Sequence, residues 1–412
     1  MAQSRKDNKG RVLRKGEYQR KPDNKYVYEY TDALGKRHNL YSDDLAELRR
    51  REEELVRKQM DGLDVYLAGN ADVNFLFDRY MSTKTELRSS TRAHYTYNWD
   101  HHVRDTFGKK KIGEVKYSEV LAYYHHMLSE ENLSISTVEN VHTLVHPTFQ
   151  LAVRDEIIRS NPSDGVLAEI KKKAGKNKGI RHALTLEQQR AFLRFVADHP
   201  VYCVWLPLMV FLFGTGARIG EAIGIRWEDL NMDDRSIDIN HTVSYFDRYD
   251  KDGKCGFAVF EPKTRAGERM IPMLDEVYEV LSEEYEEQKE NGFSTYKLDG
   301  MTGFIFMNRN DEIHKPQTIN RAIERIRVAH NVQEEVRAKR ESRDPVIIPH
   351  FSAHHIRHTF CTRFCEHETN LKVIQEVMGH ADIQTTMDIY AEATELSKKE
   401  SVAKLSREIR LF

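Results

Sequence analysis

Gly214-Thr215-Gly216-Ala217-Arg218-Ile219-Gly220-Glu221 closes the longest apolar stretch of the chain, which runs from Val201 to Phe213 and includes Pro207. A membrane span needs about 20 apolar residues, so this shorter stretch reads as a buried core helix over 201–213. The glycines then turn the chain tightly and deliver Arg218 to the start of a second helix. Helix N-termini and guanidinium groups both favour phosphate oxygens. Glu221, one turn on, is placed to hold the arginine. Alone the pair is weak evidence, because Arg–Glu pairs at i, i+3 are common on helix surfaces.

A second cluster lies downstream in His354-His355-Ile356-Arg357-His358-Thr359. His354 and Arg357 sit one turn apart on a helix. Gly379-His380 follows, and Thr385-Thr386 precedes a short helix that presents Tyr390. Two arginines, two histidines and a tyrosine describe a phosphate-like anionic centre with a phenol nucleophile. A zinc reading competes, since His354, His358, Cys361 and Cys365 share one helical face. Four ligands along one straight helix span about 16 Å, which cannot close a tetrahedron. The cysteines are better read as small core residues. His101-His102 and His125-His126 lack any HxH or HExxH pattern and read as solvated or capping groups. No Walker A loop or dinucleotide glycine loop is present, so neither ATP nor a redox cofactor is indicated.

Around these clusters, 183–394 reads as one mixed α/β domain. A helix is expected over 186–198 and a strand over Ser236–Asn240. Phe257–Phe260 and Arg269–Met273 read as a hairpin around 261–268. The helix over 275–290 carries eight acids and one lysine, with Leu274, Val277, Leu281 and Tyr285 as its apolar stripe. Its acidic face is expected to point to solvent, away from any nucleic acid.

Upstream, residues 1–65 form a small module. Residues 1–25 hold nine Lys or Arg against three acids. Tyr26–Tyr30 alternates as a strand, 33–36 turns, and Arg37–Tyr41 returns. Ser42 is expected to cap a helix that buries Leu45, Leu48 and Leu55. Such a module can lie in a DNA groove, with Lys9, Arg11, Arg14 and Lys15 as candidate contacts. Residues 72–167 read as helices over 72–82, 89–103, 118–129 and 134–155, with Ser90, Ser118 and Ser134 at N-cap positions and Asn161-Pro162 ending the last or following it closely. Residues 168–182 read as a linker. Lys171, Lys172, Lys173, Lys176, Lys178 and Arg181 lie within 171–181 without an acid, which fits a strap along a phosphate backbone.

The whole chain has 412 residues, 31% of them charged and 40% hydrophobic, with a formal charge of -2. That composition suits several globular domains and excludes wholesale disorder or a membrane bundle. Four cysteines make no disulfide framework and fit a reducing compartment. The N-terminus has no apolar signal-like region, so a cytoplasmic location is expected.

Together the motifs resemble the tyrosine site-specific recombinase (phage integrase) family. The resemblance rests on Thr215–Glu221, on Pro262-Lys263-Thr264 with Arg269-Met270-Ile271-Pro272, on His354–Thr359, on Met378-Gly379-His380 and on Tyr390. Residues 72–165 look like the family's helical core-binding domain, 183–393 like its catalytic domain, and the N-terminal piece like the arm-binding domain of conjugative-transposon integrases. The implied fold is a mainly helical α+β multidomain chain.

The resemblance implies that Arg218 and Arg357 clamp a scissile DNA phosphate, and that Lys263 protonates the 5′-oxygen leaving group. It further implies that His354 and His380 orient the phosphate, that Glu221 supports Arg218, and that Tyr390 forms a 3′-phosphotyrosine link. No metal and no cofactor are implied. The family more often has Leu where Ile356 stands. The implied partners are double-stranded attachment-site DNA, three further copies in a synaptic tetramer, and an excisionase or host DNA-bending factor; none is a membrane. Residues 395–412 read as a terminal helix with Val402, Leu405 and Ile409 on one face, expected to dock in trans on a neighbouring copy. The location implied is the bacterial nucleoid. A type IB topoisomerase-like enzyme and a non-catalytic architectural protein are the competing readings.

Overall fold

The computed structural model describes residues 5–31, 37–60, 65–174, 183–248, 254–262 and 264–391. Contacts divide the chain into two compact units, Met1–Lys178 and Gly179–Phe412. Among the described residues no helix is long and apolar enough to cross a membrane.

The first unit opens with an antiparallel sheet of β1 (Glu17–Gln19), β2 (Tyr26–Thr31) and β3 (Arg37–Ser42), in the order β1-β2-β3. Pairing of Tyr18 with Val27 and of Val27 with Tyr41 puts these three on one face. Tyr26 and Leu40 lie on the other, against Leu45 and Leu48 of α1 (Leu45–Met60). Strand β1 was not foreseen. The helix cap is Asp44, whose carboxylate accepts from the Glu47 amide at 3.1 Å. Ser42, the expected cap, donates to the Glu47 carboxylate instead.

The helical part holds α2 (Val65–Asn70), α3 (Val73–Thr83), α4 (Ser89–Asn98), α5 (Tyr117–Ser129), α6 (Ile135–Arg154) and α7 (Val166–Ala174). Its core centres on Trp99, fully buried and stacked on Phe77 at 3.9 Å. Of three expected serine caps only Ser134 caps a helix, accepting from the Thr137 amide; α4 and α5 start without a side-chain cap. The second expected helix is interrupted, because Trp99–Val103 forms a π-turn. Helix α6 ends at Arg154, as expected for 134–155, Glu156 follows with a φ of 57°, and Asn161-Pro162 comes after the helix rather than ending it.

Helix α7 corrects the linker reading. Lys171, Lys172 and Lys173 belong to it, Ile170 is buried beneath it, and the Lys171 ammonium pairs with Glu139 at 2.7 Å. A run of lysines after an amphipathic Val-Leu-Ala-Glu-Ile segment simply extends the helix. Lys176, Lys178 and Arg181 lie outside the described residues.

The second unit begins with α8 (Leu186–Asp198), capped by a Thr185/Gln188 capping box. A 3-10 turn over Cys203–Trp205 leads to α9 (Leu206–Thr215), which starts later than expected because Pro207 suits a first turn. Short α10 (Ile219–Ala222) follows. β4 (Leu230–Asn231), β5 (Ser236–Ile239) and β8 (Arg269–Pro272) form one antiparallel sheet; β6 (Thr242–Arg248) and β7 (Lys254–Phe260) form a separate two-stranded one.

The expected hairpin of Phe257–Phe260 with Arg269–Met273 is therefore wrong. Both segments are strands, but β7 pairs with β6 and β8 with β5. Residues 261–268 cross between sheets, and Lys263 lies outside the described residues. Alternation identifies a strand without naming its partner.

Helices α11 (Asp275–Asn291), α12 (Pro316–Glu341), α13 (Ala353–His367) and α14 (Leu371–Met378) complete the unit, with a last helix, α15, over 383–391. Val277 and Leu281 of α11 are buried as expected, whereas Leu274 and Tyr285 are largely exposed. Long α12 was not foreseen. Thr385 and Thr386 lie inside α15 rather than before it. The 395–412 segment lies outside the described residues.

Candidate active site

Helix α9 ends in Gly216, whose φ of 61° is left-handed, and the turn releases the chain so that Arg218 heads α10. The Arg218 guanidinium donates to Glu221 Oε1 at 2.7 Å and to the Gly379 carbonyl at 2.9 Å. Its backbone amide donates to Glu221 Oε2 at 2.9 Å. Glu221 is buried, while the Arg218 side chain keeps 43% exposure and can still meet a ligand.

Arg357 stands on α13 with only 4% exposure. It donates to the Gly216 carbonyl at 2.9 Å and to the Met378 carbonyl. A third arginine, Arg269 of β8, donates to both oxygens of Glu221, at 3.2 and 2.8 Å. It also donates to the Val377 carbonyl at 2.8 Å.

Three consecutive carbonyls at the end of α14 thus serve three different arginines: Val377 takes Arg269, Met378 takes Arg357 and Gly379 takes Arg218. A helix C-terminus carries partial negative charge and suits cations. Gly379 has a φ of 62°, and a Cβ there would stand 2.9 Å from the Ala266 carbonyl and 3.0 Å from Arg269. Only glycine fits that junction without displacement.

The electrostatics follow from this crowding. Burial pushes the Glu221 carboxyl up, but the hydrogen bonds and charge of Arg269, with Arg218 behind, win and hold it at about 2. Burial and then the Arg218 charge lower Arg357. Its guanidinium still stays charged in water's pH range.

His380 is buried, and its Nδ1 lies 2.9 Å from the Thr386 hydroxyl. Burial first, then the charges of Arg357, Arg218, Arg269 and His354, lower it from 6.5 to about 4. His380 is therefore neutral at neutral pH and offers one N–H donor. An unfolded imidazole takes a proton below about 6.5, whereas the native one waits until about 4. Its contribution to stability is full above pH 6.5 and is lost as pH falls towards 4, by up to about 3 kcal/mol. Thermal melts of His380→Gln should show a shallower loss over that window in the transition of the second unit. A slope equal to the native one would place the acid sensitivity elsewhere. His142, also lowered to about 4, adds its own loss in the first unit.

His354 is exposed on α13, yet its charge acts on His380. Tyr390 is half-buried on α15, packed against the cluster of Cys361, Cys365, Ile374 and Met378. The two cysteines are thus core residues. Arg218, Glu221, Arg357, His354 and His380 come together, and Tyr390 packs on α13, which carries His354 and Arg357, and on α14, which leads into His380. Arg269, which the sequence reading assigned no role, is the addition. It lies 48 positions from Glu221, so no local spacing connects the two.

In the first unit, the Arg11 guanidinium is held by Asp7 at 2.8 Å and donates to the Tyr26 hydroxyl, and Arg14 lies 3.5 Å from Glu53. Lys9, Lys15 and Lys172 are exposed.

Residues 182–396, more than half of the chain, match the phage integrase family. The chain belongs to the phage integrase family of tyrosine recombinases. Residues 1–59 of this recombinase match the DNA binding domain of tn916 integrase. The transposase from transposon Tn916 of Enterococcus faecalis is 28% identical over 99% of this chain and 98% of its own length. Among solved structures, the Tn1549 transposon integrase in complex with transposon right end DNA is 28% identical, with a TM-score of 0.68 over 81% of this chain and 99% of that one. A lambda integrase dimer bound to a core site shares the fold at 16% identity and a TM-score of 0.52.

Proposed function

We propose that this recombinase integrates and excises a mobile element of the conjugative-transposon type, using Tyr390 as nucleophile. The observation that carries the reading is the convergence of Arg218, Arg357 and neutral His380 on one helix end, with a tyrosine on the next helix. A scissile phosphate held by two guanidiniums carries its developing charge on non-bridging oxygens. The Tyr390 phenol gives up its proton and attacks phosphorus, and the bond to the 5′-oxygen breaks. Lys263 donates a proton to that oxygen. His354 and His380 donate hydrogen bonds to the phosphate. The phosphodiester becomes a 3′-phosphotyrosine plus a free 5′-hydroxyl, so bond energy is conserved and a partner strand's 5′-hydroxyl reverses the step.

Two duplexes present four strands, and each site cuts one, so the working assembly is four copies on DNA, with 395–412 docked on a neighbour. The β1–β3 face bearing Tyr18 and the exposed Tyr41, with Lys9 and Lys15 nearby in sequence, is the proposed reader of separate arm sites. Arg11 and Arg14 instead brace the module. Lys171, Lys172, Lys173, Lys176 and Lys178 are proposed backbone contacts. An excisionase or host bending factor sets direction at the nucleoid.

Covalent trapping tests the reading. Nicked duplexes carrying the element's ends should give a protein–DNA band on a denaturing gel, absent with Tyr390→Phe. Binding without any band in the native protein would overturn it.

A further inference from the structure

We infer that Arg269 is a positioning residue for DNA cleavage, the group that fixes Glu221 and the end of α14 in one array and so aims Arg218 and Arg357. The inference rests on the recombinase reading above and deepens it. Arg269 has no path to a ligand, since its side chain is only 5% exposed. Each of its three nitrogens is committed inside the protein. Two meet the two oxygens of Glu221, one meets Val377, and Nη1 also meets the Gly267 carbonyl at 3.1 Å.

Those partners belong to three separate pieces of chain. Glu221 is on α10, Gly267 is in the 261–268 crossover that also carries Lys263, and Val377 is on α14. One planar guanidinium therefore sets the distance between the helix that bears Arg218, the crossover that bears Lys263, and the helix end that receives Arg218 and Arg357. A lysine cannot do this, because one ammonium lacks the rigid fork that spans both carboxylate oxygens and two carbonyls.

Charge gives the same residue a second effect. Glu221 faces Arg218 on its own helix, Arg269 from β8, Arg357 from α13 and, past them, His380. The Arg269 bonds are the largest of the influences that keep the buried carboxyl ionised. Without them burial dominates and the carboxyl moves up, so Glu221 takes a proton in mildly acidic solution and releases Arg218.

The test is single-turnover formation of the covalent adduct on nicked DNA by the full chain, measured from pH 5 to 8, with DNA binding followed in parallel. For Arg269→Met and Arg269→Lys the adduct rate at pH 8 should fall by about 10²-fold and about 10-fold, with binding within threefold, since an ångström of misplacement costs roughly that much. A new loss of rate on the acid side should appear in Arg269→Met. In Glu221→Gln, which cannot titrate, adding Arg269→Met should bring no acid loss and little further drop.

Variants that lose rate only in proportion to lost folded protein, with the native pH profile, would overturn the inference, as would full additivity with Glu221→Gln. If Arg269→Met does not fold, Arg269→Lys and Glu221→Gln still decide by the same readouts. Failure of the native chain to form any adduct would overturn the recombinase reading itself, a result separable from native activity unaffected by Arg269.

Discussion

Arg357→Lys should cut covalent adduct formation by about 10³-fold while duplex binding stays within a few-fold. Arg357 bridges two carbonyls on segments far apart in sequence, Gly216 after α9 and Met378 at the end of α14. A lysine reaches one of them and leaves the other buried and unpaired, at a cost of about 1–3 kcal/mol. Its charge is also less secure. The burial and the Arg218 charge that lower Arg357 would act on an ammonium that starts about two units lower and can deprotonate. Geometry and charge then fail together at the phosphate. Rates come from single-turnover trapping on nicked DNA, and affinity from gel shift. An adduct rate within threefold of native would remove Arg357 from the clamp.

Glu221→Ala should lower the stability of the second unit by about 3–5 kcal/mol, read as a melting shift of roughly 10 °C in that unit's transition. The carboxylate is the shared counter-charge for Arg218 and Arg269, and its loss leaves a buried guanidinium against other cations. Because the native carboxyl sits at about 2 against an ordinary 4.5, its contribution is complete above about pH 4.5 and vanishes as pH falls through 2. Melts of native and Glu221→Ala proteins should therefore converge in strong acid and separate fully at neutral pH. Glu221→Gln keeps the shape and isolates the charge. A melting point unchanged in both variants would mean that the cluster does not need this carboxylate.

The sequence made some of this legible and hid the rest for identifiable reasons. The Arg218–Glu221 pair could be read because both residues sit within one turn of a helix, and the i, i+3 rule reaches that far. Helix α8 and the buried stripe of Val277 and Leu281 were visible as periodicity, and the strand character of β2, β5, β7 and β8 as alternation. Pairing was not visible, because β7 offers the same pattern to β6 as to β8. The π-turn at Trp99–Val103 is invisible to a period-3.6 search. Lysine runs look like linkers by composition, yet Lys171–Lys173 finish a helix whose apolar side is anchored by Ile170. Ser42 and Asp44 are both good caps, and only the backbone decides between them. Arg269 could be seen only as part of a motif, since its partner Glu221 comes from another element and becomes a neighbour through the fold alone.

The shared helix end has a consequence for how safely such a protein stays idle. Val377, Met378 and Gly379 each engage a different arginine, and α15 with Tyr390 begins four residues later. Any tug transmitted through that short connection loosens three latches at once, because they hang on adjacent peptide units of one strand of backbone. With the arginines clamping the phosphate as proposed, that leaves little room for a half-armed intermediate that holds it well enough to cut but too poorly to reseal. For a protein whose errors are broken chromosomes, an all-or-none mechanism of this kind is a built-in safety catch.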